Sequence, residues 1–332
     1  MSRINTSVTP IVAVPPLTRR VRAYVAPVQR ATATPTLFDP AQLGRFALDT
    51  PPAPWIDLGW IAKFARTCGT RMDPLRTGSP ASTATHVRSE IEASVSLEFE
   101  TWGKLQAALA CGSQQMNLLV TPASVALKGS GGAAAAAIPL GTEGGVLSTA
   151  SALNVGAATA ATFQPGDLVA VDLDYTGATG FVGSGVSAAY ISSPASVGGD
   201  IHYIRRVTLN VGLVIGVAGG VLTLAQPLLA GVPAPGMQIS RIAGFCDREG
   251  ASFVPEWSAL FVLEGEQGDR ILFHYPRLQP MQGSSESEAA LAAPLVQVRL
   301  AAAFRALPVR DANDGEQVLC FRSYLPATMR QI

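Results

Sequence analysis

The chain has 332 residues, 48% of them hydrophobic, with 24 basic and 24 acidic side chains and a charged fraction of only 14%. That apolar content is enough for a sizeable core and excludes a disordered protein, while the charge falls well short of the roughly 25% of an ordinary soluble domain. Zero net charge excludes nucleic-acid binding through a basic groove, and so little charge suits a surface covered by neighbouring subunits.

Cys68, Cys111, Cys246 and Cys320 are widely separated, with no CxxC and no paired histidine spacing, so reduced structural thiols are expected. Met1 to Thr18 lacks the continuous apolar run of a secretion signal. The most apolar long stretch, Val207 to Ala230, is interrupted by glycines, Asn210, Gln226 and Pro227, so membrane insertion is not expected either.

Residues 1–54 are rich in proline, threonine and alanine, carry Arg19, Arg20, Arg22 and Arg30, and end in Pro51-Pro52-Ala53-Pro54. They read as an extended arm, either a disordered tail or a strap that orders against a neighbour. From Trp55 the pattern changes to strands, with Trp60 to Ala65 the first. Gly69 to Ser82 is polar and turn-rich and reads as a long loop or a protruding hairpin. Glu90 to Glu100 then alternates without a break: Ile91, Ala93, Val95, Leu97 and Phe99 on one face, and Glu90, Glu92, Ser94, Ser96, Glu98 and Glu100 on the other. Period-two alternation of this length specifies a strand between two environments. Thr101 is placed to cap a short helix carrying Leu105, Ala108 and Leu109, with Gly112 as its stop.

Between about Asn117 and Ser240 only Lys128, Glu143, Asp167, Asp172, Asp174, Asp200, Arg205 and Arg206 are charged, which marks residues 117–240 as an inserted module. Gly129 to Thr162 is Gly/Ala-rich and reads as loop or small-residue strands. Phe163 to Val171, Tyr203 to Leu209, and Val214 to Leu224 with a turn at Gly219-Gly220 suggest a small all-β sandwich or barrel. Trp257 to Leu263 and Ile271 to Tyr275 form a predicted hairpin. After a polar loop at Gln282 to Glu288, Val296, Val298, Leu300, Ala302, Phe304 and Ala306 alternate with polar neighbours. A turn at Asn313-Asp314-Gly315 and a strand from Val318 to Ser323 close the chain. The expected architecture is mainly β: a sandwich or half-barrel built from residues 55–116 and 241–332, one short flanking helix, and the inserted β module.

In element order, Gly59 to Gly112 and Ser252 to Tyr324 resemble the tail tube proteins of long-tailed phages and related contractile injection machines. The two segments cover a little over a third of the chain, and the likeness is one of pattern, without a diagnostic motif. The resemblance implies six copies closing into a ring, with rings stacked into a hollow tube in the tail of a virion assembled in a bacterial cytoplasm. The partners it implies are further copies of the chain and tape-measure, terminator and, in a contractile tail, sheath proteins, with phage DNA passing through unbound. It also implies that Arg71, Met72, Leu75 and Arg76 in the loop, and the arm before Trp55, reach the next ring. Glu90, Glu92, Glu98 and Glu100 would face the channel, where repulsion between carboxylates favours solvent; an ordinary solvated sheet face explains them equally well. The module at 117–240, absent from a minimal tube subunit, would face outward.

No constellation for catalysis is found. His86, His202 and His274 stand alone, Asp167, Asp172 and Asp174 fit a solvated edge near a turn, and GxSxG, Walker A and strand-linked GxGxxG motifs are absent. An enzyme is therefore not expected, nor any cofactor or metal. The competing expectation is a receptor-binding, fibre or capsid-decoration protein whose central module holds the ligand site.

Overall fold

The computed structural model describes residues 18–29, 32–112, 114–119, 138–141, 143–172, 210–233, 236–248, 256–265, 268–281, 286–287 and 299–327. In chain order the first part holds β1 (Thr18–Gln29), β2 (Thr34–Pro35), α1 (Pro40–Leu43), β3 (Ile56–Thr77), β4 (Ser82–Phe99) and α2 (Lys104–Cys111). The middle part holds β5 (Gln114–Leu119), β6 (Ile138–Pro139), β7 (Ala152–Asn154), α3 (Ala157–Ala160), β8 (Leu168–Asp172), β9 (Val211–Ala218), β10 (Val221–Leu224) and β11 (Gln238–Arg248). The last part holds β12 (Trp257–Gly265), β13 (Arg270–Pro280), β14 (Glu286–Ser287), β15 (Arg299–Ala306), β16 (Val309–Arg310), β17 (Gln317–Val318) and β18 (Phe321–Leu325). The protein is mainly β with few helices, as the alternation requires.

The main sheet runs β14-β15-β4-β3-β1-β12-β13-β18, every neighbouring pair antiparallel. β15 also pairs with the end of β13 through Leu278, Gln279 and Pro280, while β18 takes Arg270 to His274 on the same edge. The sheet therefore curls back on itself and closes at one corner only. Inside the curl lie Ala93, Val95, Leu97 and Phe99 of β4 with Val25, Phe261, Tyr275, Leu300 and Phe304, and Leu105 and Leu109 of α2 cover the same core. Burial of each large apolar side chain contributes about 1.5–3 kcal/mol, so this face of β4 fixes the strand's orientation. After Ile56, the inward residues of β3 are Leu58, Ile61 and Phe64, spaced by three. Gly59 (φ 84°) and Lys63 (φ 50°) sit at the positions where the strand takes an extra residue, and each bulge restores the apolar side to the core.

Residues 18–29 and 32–54 are not the extended arm that their composition suggests. β1 lies in the middle of the main sheet between β3 and β12, with Ala23, Tyr24, Val25 and Ala26 all at most 2% exposed. Both of its faces are covered: Val25 enters the core of the curl, whereas Tyr24 and Ala26 pack with Phe38, Trp55, Leu260, Val262 and Leu272 in a second layer. Arg22 is accommodated by pairing: it bonds Asp57 of β3 through Nε at 3.0 Å and through Nη2, and its guanidinium lies over Trp60. Residues 34–55 are strapped over the outside by Tyr24 donating to the Leu48 carbonyl (2.8 Å) and Arg270 donating to the Phe46 carbonyl (2.7 Å). Residues 1–17 of the expected arm lie outside the described residues.

The same outer layer holds His274, buried between Trp55 and Phe321 with Nε2 donating to the Thr36 carbonyl at 3.2 Å. Burial pushes its pKa down to about 4, against an unperturbed value near 6.5. Between those values the unfolded chain binds the proton and the folded one does not, so stability is lost as pH falls from about 6.5 to about 4. The loss is on the order of 3 kcal/mol. Urea titrations at pH 7 and pH 4.5 measure it, and His274→Gln is expected to flatten most of the difference.

The helix after β4 forms with Gly112 in the left-handed conformation at its end (φ 62°), as expected. Its start is corrected: Gly103, not Thr101, is the N-cap, and no side chain caps it. Thr101 instead accepts from Gln106 Nε2 at 3.4 Å, and Trp102 turns away to contact the ring of Phe245 at 5.8 Å. The closing strand is also displaced from the expected Val318 to Ser323: Leu319 and Cys320 turn in against the main core between β17 and β18, and β18 runs from Phe321 to Leu325.

The inserted module is a second antiparallel sheet, β5-β11-β8-β9-β10-β7, with β6 on β11 and a core of its own that includes Leu153, Phe163, Val169, Val214, Leu222 and Ile239. The expected turn at Gly219-Gly220 is present, with φ of 55° and 84°. The sheet borders differ from 117 and 240. The chain enters through β5 at Gln114 and leaves along its antiparallel neighbour β11 at Arg248, so one strand of each crossing carries the module. The expected strand Tyr203 to Leu209, along with Asp174 and His202, falls outside the described residues. Among the described residues no helix is long and apolar enough to cross a membrane.

Candidate functional site

The segment Gly69 to Ser82, open between loop and hairpin in the sequence, is the end of a hairpin. β3 and β4 pair from the curled sheet outward to Thr77↔Ser82, with register shifts on the way. Beyond Thr67 on β3, and from Glu90 to the turn on β4, every residue is exposed. From Thr67 to Thr77 the ribbon reaches roughly 35 Å at about 3.3 Å per residue. A two-stranded ribbon alone is marginally stable in water, yet this one displays Met72, Leu75 and Val87 at 48, 51 and 52% exposure.

Arg71, Met72, Leu75 and Arg76 all lie on this ribbon, and Arg71 stands 3.5 Å from Asp73. The register places Asp73 opposite Val87 and Leu75 opposite Thr85, so Leu75 and Val87 are diagonal neighbours on one face. Val87 was not singled out in the sequence. Its signal is the Thr-His-Val-Arg run leading into the acidic strand, which only the hairpin reading turns into a surface.

The four glutamates do not share one environment. Glu90 sits opposite Arg71 on the ribbon, and Glu92 opposite Gly69 at its root, both exposed. Glu98 lies within the sheet between Ala62 and Ala301, its side chain only 17% exposed, and is held by Lys63 Nζ at 2.6 Å. The uniformly solvated acidic face expected from the alternation is thus corrected at this position. The Lys63 bulge brings a cation to the carboxylate. Glu100 is partly buried just past β4, its backbone N–H donating to the Trp60 carbonyl. Most neighbouring outward positions are small: Ala65 and Thr67 on β3, Ser94 and Ser96 on β4, Ala301 and Ala303 on β15, with the exposed Arg305 opposite Ser94 the exception. Thr67 and Ser94 share a hydroxyl hydrogen bond of 2.6 Å across the strands.

On the opposite face of the ribbon root lies a groove of about 280 Å³ lined by Arg88, Ser89, Glu90, Ile91, Pro308, Gln317 and Leu319. Its floor is made of Ile91, Pro308 and Leu319. The rest of the rim is polar. Arg66 Nε donates to the Tyr275 hydroxyl at 2.9 Å with its guanidinium over Phe273, and burial pushes Tyr275 up to about 12. Cys320 packs here, its thiol also shifted up by burial, and Cys68 is an exposed free thiol on β3.

Of the titratable groups considered for chemistry, His86 is exposed on the ribbon and Asp167 is used within its own turn, accepting from Gln164 N–H at 3.0 Å and pairing with Arg241 at 3.3 Å. Among the described residues no cluster of metal-ligating side chains is present. Compared with known proteins, the chain matches no family model and no curated sequence.

Proposed function

We propose that the protein is a self-assembling structural subunit of a phage-type tail tube: rings of six copies stack around a channel through which DNA passes, and no reaction is catalysed. The observation that carries this reading is the bare ribbon of β3 and β4, which places aliphatic side chains at about half exposure far from any core of their own. Such a surface is stabilised by a partner, and a curled sheet with a projecting ribbon provides lateral and axial contacts from one chain. The outward face of β3, β4 and β15, made mostly of small residues with Glu92, the Lys63-paired Glu98 and Arg305, is the surface that would line the channel. A wall with few cations does not hold phosphate, which lets DNA slide. The second sheet would face outward, and tape-measure, terminator and sheath proteins would meet the tube ends and exterior.

Mass photometry across a concentration series tests the assembly, with masses expected at multiples of six subunits; a monomer at every concentration would refute it. Glu92→Lys is expected to leave folding and assembly unchanged and to slow DNA release from reconstituted particles, since Glu92 is exposed and unpaired with the core. DNA release at the normal rate would remove this face from the channel.

A second reading, a receptor-binding or capsid-decoration protein, is favoured by Leu147, Leu229 and Val232, exposed at 71, 62 and 67% on loops of the second sheet. It predicts discrete trimers or particles in place of open-ended polymers.

A further inference from the structure

We infer that Cys68 and Cys320 are a redox-active pair, which a small-molecule disulfide of the glutathione class oxidises to a disulfide within one chain, tying the root of the ribbon to the segment before β18. The pair is separate from the assembly reading and stands whether or not the chain polymerises. Cys68 lies opposite Ala93, a buried core position of β4, and two residues beyond Arg66, so its side chain shares the face of β3 that looks into the curl. Beyond Arg66 that face leaves the core, and Cys68 is exposed at the mouth of the curl. Cys320 comes to the same place from the other side. It precedes Phe321, the partner of His274, and so stands beside Tyr275, packed against the main core.

Two contacts bracket the meeting point. Arg66 and Thr70 flank Cys68 on its face of β3. Arg66 bonds Tyr275, the neighbour of Cys320, at 2.9 Å, and Ile91, opposite Thr70, lines the same groove as Leu319, the residue before Cys320. The two thiols are near enough to act electrostatically on each other and on the Arg66 guanidinium. Cys320 lies between β17 and β18 and belongs to neither, so no strand ladder opposes the final approach that disulfide geometry demands.

Exposure assigns the order of steps. The Cys68 thiolate attacks one sulfur of oxidised glutathione, and one glutathione thiolate departs. Cys320 then gives its proton to water, attacks the Cys68 sulfur and releases the second glutathione. Two protein thiols are oxidised, and one glutathione disulfide is reduced to two thiols. Burial raises the Cys320 thiol above its ordinary value, with Arg66 and Arg322 offsetting part of that shift, so the second step is the slow one and quickens with pH.

The test incubates the full chain in glutathione buffers of rising oxidised fraction, blocks the remaining thiols with iodoacetamide and maps the peptides by mass spectrometry. Cys68 and Cys320 are expected to lose alkylation together, with a peptide linking them, at a rate independent of protein concentration. Raising the pH from about 7 to about 8.5 is expected to speed conversion of the glutathione adduct to the linked form several-fold. In Cys68→Ser, an exposed substitution that leaves the core intact, Cys320 is expected to stay free of glutathione. Glutathione held on Cys68 while Cys320 remains free would put the thiols out of reach of each other and overturn the inference. Linkage of Cys68 chiefly to another chain or to any other cysteine would do the same, and conversion that does not quicken with pH would take Cys320 out of the second step.

Discussion

Leu97→Asp is expected to leave no folded subunit. Leu97 is 3% exposed, stands opposite Ala302 of β15, and shares the main core with Val95, Phe99 and Phe304. The substitution removes about 2 kcal/mol of apolar burial and places a carboxylate in an apolar core, at a further cost of several kcal/mol. Against a total stability of about 5–15 kcal/mol, that is enough to unfold the chain or leave it barely stable. Glu92→Lys on the same strand points the other way and is expected to change stability by less than about 0.5 kcal/mol. Circular dichroism with urea titration separates the two. A stable Leu97→Asp protein would mean that the faces of β4 are reversed.

The second large effect separates assembly from folding. Leu75→Asp combined with Val87→Asp replaces the two aliphatic side chains on one face of the ribbon, both about half exposed and neither part of a core. Subunit stability is expected to stay within about 1 kcal/mol, since surface substitutions away from packed features do little. The concentration needed for polymerisation is expected to rise at least tenfold, which corresponds to losing about 1.4 kcal/mol per contact. Sedimentation of the variant beside the unsubstituted chain reads it directly. Unaltered polymerisation would take the ribbon out of the assembly.

The strand at residues 90–100 was legible in the sequence because both of its environments obey the two-residue period, and the buried positions Ala93, Val95, Leu97 and Phe99 follow it exactly as spaced. β12 and β13 were legible for a different reason: two apolar runs, Trp257 to Leu263 and Ile271 to Tyr275, flank a glycine-containing turn, although β12 is covered on both faces. β1 was not. A strand covered on both faces has no alternation to show, and its arginines and the prolines around it imitate an unfolded arm, whereas Arg22 is neutralised by Asp57, a residue 35 positions away. The bulges at Gly59 and Lys63 hid β3's inward face in the same way, by turning a spacing of two into a spacing of three. At the candidate site the acidic residues were visible but their grouping was not: Lys63 reaches Glu98 only because the bulge aims it there, and the groove combines β4 with a segment more than 200 residues later in the chain. Pairings of that kind belong to the tertiary fold and leave no local pattern.

Negative-stain electron microscopy of the purified full-length chain tests the central claim most directly. Six-fold rings or open-ended tubes with a stain-filled centre are the predicted result. Monomers or closed trimeric particles across the whole concentration range would contradict it.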